Sequence, residues 1–204
     1  MAEINSLYKL TRDDVERGST ILRDAYIDYP TFRYIFPEIN DRKKKLRYVM
    51  SFFLKCGLLH GEVIAPSKNI ESVSIWYKSM DLSFGLNSLL KAGLISTIYS
   101  LNIKSFIKFK KTGDAKRVNR DKLLEKEYYL LDVIGTDPSF EKKGYARLLI
   151  DTMLEKIDKE RMNCFLETSN VKNINYYNKY GFILLSSYNH DGLESYCMIR
   201  EQLN

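Results

Sequence analysis

The sequence predicts a mixed α/β fold. Three observations carry that expectation. Short strand-like runs alternate with helical ones along the 204 residues. Two turn signals join consecutive strands into hairpins. One strand leads through a basic loop into an amphipathic helix. With 45% of residues apolar, the chain can build a packed core, and its length suits a single domain spanning 1–204 with an insertion at 81–126.

Residues 3–10 read as a first strand, with Ile4 and Tyr8 apolar in a polar setting. Thr11 followed three residues later by Asp14 resembles a helix N-terminal capping arrangement. Val15, Leu22, Ala25 and Tyr26 then recur at helical spacing. Tyr29-Pro30 should end that helix, because the residue before proline avoids the helical region. Asp41 caps a second helix, whose apolar stripe is Leu46, Val49, Met50, Phe53 and Leu54, and residues 57–61 end it. Glu62–Ala65 and Ser72–Lys78, separated by Pro66-Ser67-Lys68-Asn69, form a hairpin.

Residues 81–126 break the rhythm. Leu89, Leu90, Leu94, Ile95, Ile98 and Leu101 suggest a helix, and a basic stretch from Lys104 to Lys122 follows. The segment reads as two or three helices inserted between strands, with no linker that would mark a separate domain. Tyr128–Thr136 is a strand ended by Asp137-Pro138. A helix over 144–159 turns Leu148, Leu149, Met153, Leu154 and Ile157 to the core. Residues 164–168 are a strand, and 170–180 a helix closed by Gly181. Strands over 182–188 and 194–200 are joined through Asp191-Gly192, a hairpin step.

Composition narrows the class. The formal charge is +6, which favours anionic partners without choosing among nucleotide, nucleic acid and lipid. Cys56, Cys164 and Cys197 are odd in number and far apart, so neither a metal site nor a disulfide framework is expected, and each reads as a small buried apolar residue. No apolar run is long enough to span a membrane, and Met1-Ala2-Glu3-Ile4-Asn5 lacks a signal-peptide pattern. The expected location is the cytoplasm.

The chemistry concentrates in Glu141-Lys142-Lys143-Gly144-Tyr145-Ala146-Arg147, between a strand and a helix. A helix N-terminus offers unpaired backbone N–H groups and a partial positive charge, which together favour phosphate. Gly144 permits close backbone approach. The loop is neither a P-loop nor a dinucleotide fingerprint, since the required Gly-Lys-Ser/Thr and the three spaced glycines are missing. Taken alone, an anion site and a turn with solvated lysines weigh equally.

Order along the chain decides between them. After this loop come Leu166-Glu167-Thr168-Ser169-Asn170 and then Asn173-Ile174-Asn175-Tyr176-Tyr177-Asn178-Lys179-Tyr180-Gly181-Phe182. The loop resembles the pyrophosphate motif of the GCN5-related N-acetyltransferase (GNAT) superfamily. Asn170, Tyr177, Gly181 and Phe182 resemble its later motif. Ser74-Ile75-Trp76, Leu166-Glu167-Thr168-Ser169, Tyr29-Pro30-Thr31-Phe32 and the run Ser195 to Arg200 are similar to its puromycin N-acetyltransferase group. Glu141 departs from the Gln or Arg usual at its position.

The resemblance implies a central, mostly antiparallel sheet splayed into a V between the fourth and fifth strands, flanked by helices. It implies acetyl transfer from acetyl-CoA, with no metal, to the primary amine of a small molecule by direct attack. Ile134, Gly135 and Thr136 would pair with the pantetheine. Lys142, Lys143, Gly144, Tyr145, Ala146 and Arg147 would cradle the pyrophosphate, and Asn170 and Tyr177 would complete the coenzyme contacts. Tyr177 would be the general acid, with Glu167 or Asp132 as base. Tyr29, Phe32 and Trp76 would border the acceptor, although core packing also accounts for Trp76. Nucleic-acid and membrane partners are not expected, and a monomer or homodimer is. Two alternatives stay open: a protein or peptide acceptor, and a non-enzymatic role as an acyl-CoA sensor or as a module binding nucleic acid or membranes through residues 102–122.

Overall fold

The structure is a computed structural model that describes residues 7–124 and 127–202. Seven strands form one sheet in the order β1-β2-β3-β4-β5-β7-β6. They are β1 (Tyr8–Lys9), β2 (Glu62–Ala65), β3 (Ser72–Lys78), β4 (Tyr128–Thr136), β5 (Asn163–Thr168), β6 (Ile183–His190) and β7 (Leu193–Arg200). Only the central pair β4–β5 is parallel; the others are antiparallel. The mostly antiparallel, helix-flanked sheet implied by the resemblance is therefore present.

Helices cover both faces. On one side lie α1 (Val15–Tyr26), α2 (Pro30–Ile35) and α3 (Ile39–His60). Their Leu22, Ile35, Leu46 and Met50 pack with Val63, Val73, Ile75 and Val133 of the sheet. On the other side lie α7 (Tyr145–Lys159) and α8 (Lys172–Asn178), where Leu149, Met153, Ile157 and Tyr177 meet Trp76, Tyr129 and Leu166. The insertion resolves into three helices, α4 (Leu86–Lys91), α5 (Leu94–Ser100) and α6 (Ile103–Leu123). Phe106 and Phe109 of α6 pack on the first core while Ile107 stays exposed, so the basic segment is a helix seated on the domain.

Several local expectations meet their physical reasons here. Asp14 accepts the Thr11 backbone N–H at 2.7 Å and its hydroxyl at 2.9 Å, so the capping arrangement forms. Tyr8 donates to the same carboxylate. The first strand is only Tyr8–Lys9, and residues 3–6 of the expected strand lie outside the described residues. Pro30 does more than stop a helix. It opens α2, where proline's missing N–H costs nothing. Asp41 is not the cap of α3, because the helix already starts at Ile39; it sits in the first turn and binds Lys45 at 2.6 Å. The Asp191-Gly192 hairpin turn has both residues at positive φ, 51° and 83°, as a two-residue turn between twisted strands requires.

Gly57 does not end α3, which runs on to His60. A Cβ there would stand 2.6 Å from a Val63 methyl and 2.7 Å from an Ile75 methyl, so the glycine sets how closely α3 approaches the sheet. Gly57→Val should therefore destabilise the protein by about 1–3 kcal/mol through overpacking. Urea unfolding should show a lower midpoint with an unchanged slope, and an unchanged midpoint would mean that α3 is not seated this closely.

Candidate active site

The site begins where the central strands part. β4 and β5 pair from Tyr128 with Asn163 to Leu131 with Leu166, and no further. Asp132 and Glu167 are the next residues on each strand. The β3–β4 register also slips here: Ile75 faces Val133 while Trp76 faces Leu131, leaving Asp132 as an extra residue. Such a bulge bends its strand and re-aims a side chain. It accounts for the change of parity along β4, where Tyr128, Leu130 and Val133 all enter the same core.

Three cavities follow this parting. A central one of about 200 Å³ is lined by Tyr26, Tyr29, Asp132, Glu167, Asn170 and Tyr177, among others. A second, of about 290 Å³, shares Tyr26, Tyr29, Asp132 and Glu167 and extends beneath α6, between Phe32, Phe53 and Phe109. A third, of about 590 Å³, lies at the N-terminus of α7 and is lined by Thr136, Lys142, Gly144, Ala146, Arg147 and Lys179, among others.

The third cavity has the features of an anion cradle. Lys142 and Gly144 both have positive φ, 61° and 84°, which curls the loop so that it can enter α7. Gly144 is the residue just before the helix, where backbone N–H groups lack helical partners. A Cβ on Gly144 would meet no protein atom within 4 Å, so it would project into open space. Glycine is needed here for its φ and for the room it leaves. Gly135 is tight for a different reason: Ala25 and Leu22 of α1 would each lie 2.9 Å from its Cβ, so α1 packs directly on the strand edge leading to the parting.

The central cavity holds opposed charges. Burial raises the Asp132 carboxyl above the usual carboxylate range; Lys116 and Arg120 oppose that shift and Glu167 adds to it. Glu167 accepts the Tyr188 hydroxyl at 2.9 Å and pairs with Lys116 at 3.6 Å. For Lys116, burial works to lower the pKa, but Glu167, Tyr29 and Asp132 outweigh it and leave the pKa raised, so the lysine is charged. Tyr177 is buried, and that burial lifts its phenol well above the ordinary tyrosine value.

The remaining expected residues fall into place as follows. Tyr29 and Phe32 line the cavity beneath α6. The Tyr29 hydroxyl bonds Thr168 Oγ1 at 2.7 Å and accepts the Ser169 N–H at 2.8 Å. Asn170 borders the central cavity, and its side chain accepts the N–H of Lys172 at the start of α8. Lys143 turns aside, its ammonium 4.8 Å from the Phe140 ring centre, and neither it nor Glu141 lines the cradle. Trp76 lines none of these three cavities. It is fully buried in the core against α7, and its indole N–H donates to Ser74 Oγ at 2.8 Å. Ile134 is already engaged: the Tyr26 hydroxyl accepts its N–H at 3.2 Å and donates to its carbonyl at 3.1 Å.

Four residues were missed as site residues by sequence reasoning. Lys116 and Arg120 lie in the basic stretch of the insertion, and only the fold of α6 over the parting reveals them. Tyr26 reads as an apolar position of the first helix. Lys179 reaches the cradle from just beyond α8. Among the described residues, no cluster of three or more His, Cys, Asp or Glu could hold a metal, and no helix is long and apolar enough to cross a membrane.

Comparisons with known proteins agree with this geometry. A family model for the acetyltransferase (GNAT) family matches residues 103–182. An uncharacterized N-acetyltransferase of Schizosaccharomyces pombe is 23% identical over 180 residues, covering 85% of this chain and 72% of that protein. A Corynebacterium glutamicum protein described as a histone acetyltransferase HPA2 and related acetyltransferase superposes with a TM-score of 0.69 at 16% identity, covering 98% of this chain and 97% of that one. A chain of the NatC complex bound to a Gag peptide and coenzyme A gives a TM-score of 0.50 at 14% identity, covering 97% and 98%. At these identities the solved structures show a shared fold. The family match is confined to 103–182, in the part of the chain that contains the loop before α7.

Proposed function

We propose that this protein transfers an acetyl group from acetyl-CoA to the primary amine of a small molecule. One observation carries the reading: the two carboxylates and a buried tyrosine converge on one small cavity at the parting of β4 and β5, with an anion cradle to one side. The narrower likeness to the puromycin N-acetyltransferase group is one of motifs, and it names no acceptor.

The residues present fit the coenzyme. Backbone N–H groups at the start of α7, with Lys142, Arg147 and Lys179, suit a pyrophosphate. The free edge of β4 over Ile134, Gly135 and Thr136 suits the amides of a pantetheine arm, provided the Tyr26 hydroxyl gives way at Ile134. When bound there, acetyl-CoA supplies an activated thioester.

The chain's own groups then divide the proton work. Asp132 accepts no hydrogen bond from the described residues and opens onto both inner cavities. Its raised pKa makes it a better base than a surface carboxylate. Glu167 is engaged by Tyr188 and Lys116, so Asp132 is the residue free to take the amine's proton, directly or through water. The Lys116 charge disfavours an ammonium nearby and so favours the neutral, nucleophilic amine. Tyr177 keeps its proton at neutral pH. Its pKa lies above that of an ordinary thiol, about 8.5, so it steadies the leaving sulfur by hydrogen bonding more than by full transfer.

Three outcomes test this reading. Gly144→Val should weaken acetyl-CoA binding at least about tenfold, or roughly 1.4 kcal/mol, and undiminished affinity by calorimetry would remove the cradle assignment. Tyr177→Phe should lower kcat while leaving coenzyme affinity nearly intact; wild-type turnover would exclude the phenol from the reaction. Asp132→Asn should lower kcat/KM and abolish its acid limb, whose inflection in the wild type should lie above the ordinary carboxylate range. The same variant should raise Tm at neutral pH. A folded-state pKa above the unfolded one means that the native state gains stability as pH falls through that range and carries a cost when the group is ionised. An unshifted pH profile together with a lower Tm would make Asp132 structural.

A further inference from the structure

We infer that the acceptor is a small amine with an anionic group beside the amine, of the kind an apolar α-amino acid presents. This rests on the acetyl-transfer reading above and goes further by naming the acceptor's class. The cavity beneath α6 carries two unanswered groups of opposite sign. Asp132 is one, a carboxylate at the parting of the strands that accepts no hydrogen bond from the described residues. Arg120 is the other. It lines the same cavity, and its Nε–H is buried without a partner.

The two lie close enough for the Arg120 charge to act on the Asp132 carboxyl. The other charges nearby are already matched. Lys116 pairs with Glu167 at 3.6 Å, and Lys110 with Asp114 at 2.6 Å. The unpartnered Arg120 Nε–H is a costly donor to leave buried, and Asp132 is an exposed carboxylate that opens onto the same cavity. A molecule with an amine and a carboxylate one carbon apart answers both, with its nitrogen at Asp132 and its carboxylate at Arg120.

Size and wall chemistry narrow the rest. At about 290 Å³, the cavity is at the small end of ligand sites. Phe53, Phe109, Met50 and Ile35 give it an apolar wall, suited to an aromatic or branched side chain. An uncharged amine would leave Arg120 unanswered and would place its own cationic form beside Lys116. In the transfer, the amine nitrogen bonds to the acetyl carbon as the carbon–sulfur bond breaks. Asp132 takes the surplus amine proton, and the sulfur departs with its electron pair, hydrogen-bonded by Tyr177. The product is an N-acetylated amino acid and free coenzyme A.

Thiol release from acetyl-CoA tests this with two matched series at one pH: phenylalanine, phenylalaninamide and phenethylamine, and leucine with its amide and isoamylamine. The amides have the less basic, more readily deprotonated amines, so intrinsic reactivity favours them. A preference for the free acid must therefore come from the protein. At least one acid should exceed both of its neutral counterparts in kcat/KM by tenfold or more, and Arg120→Gln should collapse that preference by raising KM for the acid. Equal or greater turnover of the amide or amine would overturn the acceptor class while leaving acetyl transfer intact. An acid preference that survives Arg120→Gln in a variant of unchanged Tm would overturn the role of Arg120. Failure of acetyl-CoA to bind at all, by calorimetry, would instead remove the acetyl-transfer reading on which the inference stands.

Discussion

The parting of β4 and β5 after Leu131 and Leu166 is the constraint on which the rest of this structure depends. A parallel pair in the middle of an antiparallel sheet has no hairpin to hold it in register, and here it lasts for only four residue pairs. β5 stays with β7 along its length, and β4 stays with β3 apart from the bulge at Asp132. Each strand is thus held from its outer side, and the gap between them persists without collapsing. The backbone edge exposed in that gap would be a defect elsewhere, since unpaired N–H and carbonyl groups are costly when buried. In this protein the Tyr26 hydroxyl satisfies both groups at Ile134, a local answer that a competing ligand amide can replace.

The same parting explains why charge collects at one point. The first residue past the last β4–β5 pair on each strand has no partner across that gap, although Glu167 still pairs with Cys197 of β7, and both side chains line the central cavity. On both strands that residue is acidic. A second carboxylate nearby raises the proton affinity of the first, and Glu167 adds to the shift at Asp132. Lys116 separates their fates by pairing with Glu167. One carboxylate is held in place and the other left free, an asymmetry that suits one base at one reaction centre.

Much of this was legible in the sequence. The bounds of β2, β3 and β4 follow from short strand-like runs and the residues that bound them, whereas the loop before α7 was an even choice until the order of the later motifs was added. Asp132 and Glu167 became candidates only through the resemblance. The bulge that aims Asp132 was hidden, because an extra residue shows only in register with β3. Of the two readings of Trp76, core packing is the one its burial fits, as a strand packed on both faces buries it whichever way it points. Lys116 and Arg120 could not be told from Lys110 or Lys111 by residue type or spacing. What distinguishes them is the face of α6 that meets the parting, and that face is fixed by the packing of Phe106 and Phe109 on the core.

That dependence on α6 separates the molecule into two halves with different rules. The free edge of β4 and most of the cradle are made by elements consecutive in the chain, 128–147, with Lys179 added from just beyond α8, so their geometry is largely local and their motif compact. The cavity beneath α6 is assembled from α1, α2, α3, β4, β5 and α6, over 140 residues of sequence. Its charge is set mainly by α6, a helix held by a few aromatic contacts and by Lys108, which donates to the Tyr34 carbonyl at 2.9 Å. On the proposed reading, the inward face of α6 is where the acceptor would be selected, apart from the sheet and the cradle. A fold of this kind can therefore keep one coenzyme while its acceptor changes, and the chemistry of the acceptor must be read from residues such as Lys116 and Arg120 rather than from the motif that identifies the fold.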